Sequence, residues 1–573
     1  MKYRWSLAPA QSALADVLAR GTHVSPLLAQ CLLNRGYDEP GEIGAFLEPR
    51  LKSLRDPFLL PNMAAAVDRL MIAHARGQRV VIFGDYDVDG VSSTALLLEV
   101  FQRLGWQVQA YLPHRFEEGY GLTQEGVARC LELYPAELLL AVDCGSTAVE
   151  GIRDLRERGI DVLVLDHHQV SDPPPEAVAL VNPQLAPEGA PDFRELCSAG
   201  LAFKLAHALV KRGRESNLPG AADFDLRPLL DLVALGTIAD LVTLRGENRI
   251  LVTAGLQRLD QTTRPGLVAL KEVAGVRSPV QASDVGFLLG PRLNAAGRLE
   301  SAAEALALLT APNLETAGPL AARLDSRNRE RQQIERNLSA DVIGRLKPRF
   351  DPARDHVIVE GGLYWHIGVV GIVASRVLRE FYRPTIIIGG EGQEWRGSGR
   401  SIEGFDLAGA LRQCDDLLLR HGGHAMAAGI SIHPDSIDAL RERLNSLAQR
   451  TLTPEQLQPP LLIDAAITGA DLTLERIHEL ARLAPLGQGN SPVKLMLRGA
   501  TLARAPRRIG ADGRHVKLQI QSGREQWDAV WWEGGEQHWP VNTFDLAFTP
   551  GVNEFNAQTR VQLKVLDWRP AHV

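Results

Sequence analysis

The 573-residue chain is poor in cysteine: five in all, an odd number with no CxxC pair. Such a set argues against a disulfide framework or a thiolate zinc site and points to a reducing compartment. No apolar run approaches the roughly 18 residues of a membrane-spanning helix. The N-terminal stretch lacks the sustained apolar core of a secretory signal. No repeat of solenoid length occurs, and the 52 glycines follow no Gly-X-Y period. Positive charge is not in excess either: the formal net charge is -7. That disfavours a protein coating a polyanion over its whole surface and leaves room for a local basic groove. What is present, 45% hydrophobic and 23% charged residues, is ordinary for a soluble globular chain. A cytoplasmic location is expected, and at about 150 residues per domain the length implies three to four domains.

The texture changes along the chain. The first ~50 residues read as short helices. From about residue 65, helical stretches alternate with the apolar runs RVVIFG, VQAYLP, ELLLAVD and DVLVLD. Short strand-like runs between helices imply βαβ units and a parallel sheet. A proline-rich loop, SDPPPEAVALVNPQLAPEGAPDF, follows, then mostly helical sequence to about 345. HVIVEG and PTIIIGG open a second α/β unit near 350, and TLTPEQLQPP reads as a linker. Beyond ~495 the short alternating runs HVKLQIQ, WDAVWW, FDLAFTP and RVQLKVLDW suggest a small all-β barrel.

Chemistry gathers where the first apolar runs end. RVVIFG is followed by Asp85, Tyr86, Asp87, Val88 and Asp89. ELLLAV is followed by Asp143, and DVLVL by Asp166, His167 and His168. A further acid, Asp240, ends the helical run GTIAD. In an open parallel sheet, ligands bind beyond the carboxyl ends of the strands. Any one of these aspartates alone reads first as a turn or helix cap. DxDxDG also resembles an EF-hand loop, but its twelfth position is Leu96, not Glu. As a set, clustered carboxylates repel one another unless a cation neutralises them. Carboxylates with imidazole suit Mg²⁺ or Mn²⁺, and two such ions can drive in-line displacement at phosphorus.

In this order, GDYDVDG, VDCG, DHH and GTIAD resemble the DHH phosphoesterase superfamily. GPRLNAAGRL (290–299), WHIGVVGIVASR (365–376), GGHAMAAG (422–429), PLGQGN (485–490) and the barrel-like tail are similar to its single-strand-specific 5′→3′ DNA exonucleases. The resemblance implies five segments. They are an N-terminal helical segment (1–60), a parallel-sheet DHH catalytic domain (61–280), a connecting helical segment (281–348), a DHHA1 domain (349–455) and an OB-fold domain (456–573). The additional C-terminal domain of some longer relatives is not expected. The implied activity is metal-dependent hydrolysis of single-stranded DNA in recombination and repair, with nucleotides released. Asp87, Asp89, Asp143, His167 and Asp240 match positions that bind a pair of Mn²⁺ or Mg²⁺ ions, and Asp85 lies in the same motif. Asp87, Asp143, His167 and His168 take the catalytic roles, with His168 facing substrate phosphate. Many members carry a histidine four residues before the first metal-binding aspartate. Here that position is Phe83, which leaves Asp85 as the compensating candidate.

Other residues point to phosphates. Arg292 and Arg298, with Asn294 between them, suit bidentate phosphate contacts, or stand as solvated charges at a helix–loop junction. Arg323, Arg327 and Arg331 recur every four residues along one helix face. Such a stripe reads first as a solvated face with i,i+4 partners; lining a DNA channel is the competing reading. The resemblance implies that His366, Arg376, Arg400 and His424 of the DHHA1 pattern meet nucleotide phosphates, with Gly-rich loops allowing close approach. Five of nine tryptophans (527, 531, 532, 539, 568) lie in the tail behind Arg504, Arg507, Arg508, Arg514 and Lys517. An aromatic and basic barrel suits single strands, although Trp527 and Trp531 share a face and read as core. The partners expected are single-stranded DNA, a single-strand-binding protein and a helicase supplying single strands, with no membrane and a monomeric chain. Two rivals stay open: a small-nucleotide phosphodiesterase and a non-catalytic DNA-binding scaffold.

Overall fold

A computed structural model of the chain describes residues 2–115, 117–187, 193–299, 301–555 and 558–571. Part of the proline-rich loop, residues 188–192, lies outside them. The chain divides into two compact units: Gly41–Arg329 with Leu483–Ser491, and Met1–Pro40 with Glu330–Arg482 and Pro492–Val573.

The first unit is built on a five-stranded sheet in the order Gln107–Tyr111, Arg79–Gly84, Leu138–Val142, Asp161–Leu165, Ala179–Val181. All four pairings are parallel. The central strands are apolar at nearly every position because both faces are covered. Val80, Ile82, Leu138, Leu140, Leu163 and Leu165 face one core, which also takes the helices Met63–Ala75, Val88–Arg103, Ser198–Glu215 and Leu230–Ala239. The alternate positions Val81, Phe83, Leu139, Ala141, Val162 and Val164 face a second core. The helices Gln124–Leu133 and Val149–Glu157 contribute to it. In register, Gly84 pairs with Val142, Val142 with Leu165, and Leu165 with Val181. The strands therefore end in one row. The next residue on each is Asp85, Asp143, Asp166 or Asn182.

The second unit holds a mixed five-stranded sheet in the order Arg420–His424, Ala427–Ile432, Glu394–Arg400, Thr385–Glu391, Ile358–Leu363. Only the last pair is parallel. Leu338, Val342 and Leu346, from the end of the 33-residue helix Leu314–Leu346, pack with the helix Val370–Phe381 on one face. The helix Ile437–Thr451 helps to build the core on the other. The tail is a barrel of Leu495–Ile509, His515–Ser522, Glu525–Trp531, Gln558–Pro570 and Phe544–Phe555. Leu495 paired with Phe548 closes the ring. Its first strand carries Arg504, Arg507 and Arg508. At the other end of the chain, Arg4–Leu7 is a strand rather than a helix, parallel to Pro460–Ile463.

Candidate active site

Asp85 leaves the first strand end, and Asp87 caps the helix Val88–Arg103 by accepting from the Asp89 and Gly90 N–H groups at 2.9 and 3.1 Å. Gly90 is needed there: a Cβ would lie 2.5 Å from the Asp85 carbonyl oxygen. Asp89, in the first helical turn, is buried. Its two oxygens accept from the Ser198 and Ala199 N–H groups at 2.7 and 2.8 Å, at the start of another helix, where the dipole favours an anion. Asp143 follows the strand Leu138–Val142 with φ 64, a left-handed backbone unusual for a residue with a side chain. Its Oδ1 accepts from the Ser198 hydroxyl at 2.8 Å.

His167 stands at the centre. Its Nε2 lies 3.5 Å from Asp143 Oδ1, 3.5 Å from Asp240 Oδ2 and 3.9 Å from Asp89 Oδ2. It is buried with no hydrogen-bond partner, and so is Asp85 Oδ1. Asp89, His167 and Asp240 form one convergent set of ligating atoms, and Asp85, Asp87 and Asp143 form another. Asp240 is the C-cap of Leu230–Ala239, and Gly236 on that helix approaches Asp89 so closely that a Cβ would meet Oδ1 at 2.6 Å.

The electrostatics are those of a site built to hold cations. Burial, then repulsion from Asp89 and Asp87, pushes Asp240 up to about 8. Burial and Asp87 raise Asp89 to about 6, against its two backbone hydrogen bonds. Burial and neighbouring carboxylates also hold Asp85 and Asp143 well above the ordinary carboxylate range. Burial, with the charge of His168, lowers His167 to about 4, so its imidazole is neutral and ready to ligate. Oxygen-rich, unpartnered and mutually repelling, the donor set fits hard divalent ions with one borderline nitrogen ligand at their side.

Asp166 plays a different part. Burial would raise it, but the His168 hydrogen bond and charge and the Ser146 contact outweigh burial and hold it at about 2. Its Oδ1 takes the His168 ring Nδ1 at 2.7 Å and the His167 N–H at 2.8 Å; its Oδ2 takes the Ser146 N–H at 3.1 Å. Burial opposes charge on His168, yet Asp166 prevails and raises it to about 9. The Tyr120 hydroxyl lies 3.4 Å from His168 Nδ1 and 3.3 Å from the Asp143 carbonyl oxygen. Tyr120 meets Tyr86 edge-on, and the Arg115 guanidinium lies 5.1 Å from the Tyr86 ring centroid. Motif reading alone did not single out Asp166, Ser198, Tyr120, Tyr86 or Arg115 for roles. The parallel register, which puts Asp166 in the row of strand-end residues, is the signal that finds it.

The arginines separate into distinct settings. Arg298 lies near the Asp85–Asp89 turn, because Gly297 abuts Tyr86: a Cβ on it would meet the Tyr86 carbonyl at 2.9 Å. Asn294 is half-buried on the same helix. Arg292 is engaged within the fold, at 2.9 Å from Asp325 and 2.7 Å from the Leu288 carbonyl. The stripe on the long helix is not a solvated face. Arg323 is exposed, 3.5 Å from Glu304, but Arg327 turns inward at 3.2 Å from Glu304. Arg331 is buried against Glu335 at 3.1 Å. Arg376 bonds the same Glu335. Helix spacing put these side chains on one face, but packing decided which of them meet water.

In the mixed sheet, Arg400 pairs with Ala427 and Ala427 with His424. In the next rows, Ser398–Gly429–Gly422 and Arg396–Ser431–Arg420 align. Facing residues of an antiparallel row share a side, so one face carries Arg396, Arg400, Arg420 and His424 over a floor of glycine, alanine and serine. A Cβ at Gly422 or Gly429 would meet nothing within 4 Å. Arg400 bonds the Ser398 hydroxyl at 2.9 Å, beside Gly371 in the first turn of Val370–Phe381. His366 Nδ1 accepts from the Gly368 N–H at 3.1 Å before that helix. In the barrel, Trp527 and Trp531 are buried, whereas Trp532 is 58% exposed and meets His515 edge-on. Among the described residues no helix is long and apolar enough to cross a membrane.

Family models match in three places. They are the DHH family N-terminal domain at residues 79–237, the DHHA1 domain at 354–450 and the RecJ OB domain at 463–567. The chain is 37% identical to the single-stranded-DNA-specific exonuclease RecJ of Bacillus subtilis, over 99% of this chain and 71% of that protein. To the Escherichia coli protein of the same name it is 36% identical, over 94% and 95%. The crystal structure of RecJ in complex with Mn²⁺ from Thermus thermophilus aligns with a TM-score of 0.84 at 31% identity, over 100% of this chain and 80% of that one. With a DHH sheet, a DHHA1 domain and an OB barrel in that order, and that level of identity over nearly its full length, this chain belongs to the RecJ family.

Proposed function

We propose that this protein is a metal-dependent 5′→3′ exonuclease. It hydrolyses phosphodiester bonds of single-stranded DNA, releases nucleotides and serves DNA recombination and repair in the cytoplasm. The observation that carries the reading is the convergence of Asp89, Asp143 and Asp240 on the unpartnered Nε2 of His167, beside Asp85 and Asp87. The five aspartates and His167 would hold two Mn²⁺ or Mg²⁺ ions. When bound, such ions activate water and offset charge on the reacting phosphate.

The protein's own groups do the rest. Asp166 orients both histidines and keeps the His168 ring protonated. With Nδ1 given to Asp166, His168 has Nε2–H left to donate to a phosphate oxygen. Ser198 fixes Asp89 and Asp143 together, so the two carboxylates hold their spacing without rearranging. Asn294 and Arg298 contact the backbone of the strand near the reacting end. In the other unit, His366, Arg400 and His424 hold phosphates over a floor that a Gly- and Ser-lined sheet keeps clear. Arg292, Arg331 and Arg376 each support their own unit's surface through carboxylate partners. The barrel grips single strand as well, with Trp532 as a stacking platform. A single-strand-binding protein and a helicase would supply the substrate, and the chain acts as a monomer.

The test is digestion of 5′- and 3′-labelled single strands with and without Mn²⁺, alongside a blunt duplex and a dinucleotide. Early release of the 5′ label, only with metal and only from single strands, is expected. Early release of the 3′ label would reverse the polarity, and preference for the dinucleotide would favour a small-nucleotide phosphodiesterase.

A further inference from the structure

The motif PLGQGN at 485–490 has no part in the chemistry above. It is nevertheless counted with the DHH unit, while Arg482 before it and Pro492 after it belong to the other unit. Its backbone is held by buried side chains. Arg249, 2% exposed, donates to the carbonyls of Phe46 (2.6 Å), Leu483 (3.1 Å) and Ala484 (2.7 Å). Asn490, 1% exposed, donates through Nδ2 to the carbonyls of Leu483 and Pro485 at 2.7 and 2.9 Å. Gly487 and Asn490 exchange backbone hydrogen bonds at 3.0 and 3.1 Å, closing a tight turn.

That turn meets the segment following Asp240. The Leu244 N–H donates to the Gln488 carbonyl at 2.9 Å, and Arg245 Nε reaches the Gly489 carbonyl at 3.4 Å. A Cβ on Gly487 would lie 2.8 Å from Leu244 Cδ1, and one on Gly489 would lie 3.1 Å from Thr243. At Gly487 a side chain would press on the end of the Leu244 side chain, and Gly489 has φ 70, a left-handed backbone that favours glycine. Directly after Asp240, Leu241 has φ 60 with its side chain 70% exposed. A left-handed leucine persists only where its surroundings over-determine the backbone. The helix holds Asp240 on one side, and the turn holds Leu244 on the other.

We propose that the Pro485–Asn490 turn positions the metal centre. By gripping Leu244 it fixes the strained Leu241 corner and keeps the Asp240 carboxylate aimed at His167. Asn490 and Gly487 are positioning residues that act through Leu244. This inference rests on the reading that Asp240 helps to hold a divalent ion.

The experiment titrates Mn²⁺ into the full-length protein by calorimetry, and follows amide hydrogen exchange at Leu244 without metal. Asn490→Ala removes the donor that closes the turn; Gly487→Ala keeps that donor but pushes on Leu244. Each is expected to quicken exchange at Leu244 and to weaken Mn²⁺ binding about tenfold, as loss of a supporting partner does. Turnover at saturating Mn²⁺ should return to within about twofold of the parent, a split that general destabilisation would not produce. Unchanged Mn²⁺ affinity with faster exchange at Leu244 would overturn the proposal, and so would a turnover loss that saturating metal does not restore. Asp240→Asn separates the two readings. If it leaves Mn²⁺ affinity unchanged, the metal reading of Asp240 fails; if it weakens binding where the turn variants do not, only this inference fails. Should Asn490→Ala not fold, Gly487→Ala decides alone.

Discussion

The Ser198 hydroxyl donates to Asp143 Oδ1 at 2.8 Å, although 55 positions of chain separate the two residues. The backbone N–H of the same serine donates to Asp89 Oδ2 at 2.7 Å. One helix start thus ties together the strand-end carboxylate of Asp143 and the helix-turn carboxylate of Asp89, and both face His167.

Asp143→Ala should remove hydrolysis while leaving the fold in place. In its left-handed backbone alanine costs about 1–2 kcal/mol, which a chain of this size tolerates, and no apolar core depends on its side chain. The loss in kcat should exceed the about 10–100-fold that follows removal of an outer-shell partner. Near-normal turnover of this variant with Mn²⁺ would contradict the site assignment.

Chelation with EDTA should stop hydrolysis, with Mn²⁺ or Mg²⁺ restoring it and Ca²⁺ failing to. The oxygen-rich set with one imidazole accepts the first two; Ca²⁺ prefers more oxygens in a looser arrangement. Full activity after exhaustive chelation would rule out the mechanism.

Metal should stabilise the protein more at pH 8 than at pH 6. In the metal-free fold Asp240 binds its proton up to about 8 instead of the usual 3.8, and Asp89 up to about 6. A raised carboxyl contributes stability that is complete below about 4 and is lost as pH rises through the folded value. The chelated protein therefore weakens between pH 4 and 8, while bound metal takes the place of the protons. The Tm gain on adding Mn²⁺ should grow by about 1–2 °C for each kcal/mol of this difference, measured by scanning calorimetry. A gain independent of pH would show that these carboxylates do not share the ion.

Removing Pro492–Val573 should weaken binding of long single strands more than cleavage of very short ones. A cut near 458 is a poorer test, because it also removes Leu483–Ser491, which packs in the DHH unit, and the strand Pro460–Ile463 that pairs with Arg4–Leu7. Equal losses on both lengths, in a folded truncation, would make the barrel purely structural.

Arg323→Ala and Arg331→Ala should behave differently. Arg323 is exposed, so its loss should flatten the salt dependence of strand binding by up to about one unit of slope. Arg331 is buried against Glu335, and its loss should cost about 3 kcal/mol of stability, the low end for a broken buried pair because Arg376 still neutralises Glu335. Equal salt slopes for the Arg323 variant and the parent would remove Arg323 from the DNA path.

The residues by themselves announced much of this protein. Unbroken apolar runs meant strands buried on both faces, and aspartates at successive strand ends meant a crevice of carboxylates, because both signals are local and periodic. Motif order supplied the family. Partnership was not legible. Arg292 and Arg298 lie in one motif with the same chemistry, yet only the tertiary structure gives Arg292 to Asp325 and sets Arg298 near Tyr86. Arg323 and Arg331 repeat along one helix face, but which of them meets water depends on carboxylates and elements distant in sequence. Asp166 looks like any strand-end acid until its neighbours are seen; hydrogen bonds from His168, His167 and Ser146 make it the orienting group of the DHH triplet. PLGQGN reads as a turn near a linker, and long-range packing alone puts it against the residues after Asp240. A sequence pattern encodes the period and polarity of its own element, whereas a charge's role is set by what faces it, and that is decided only when the chain closes on itself.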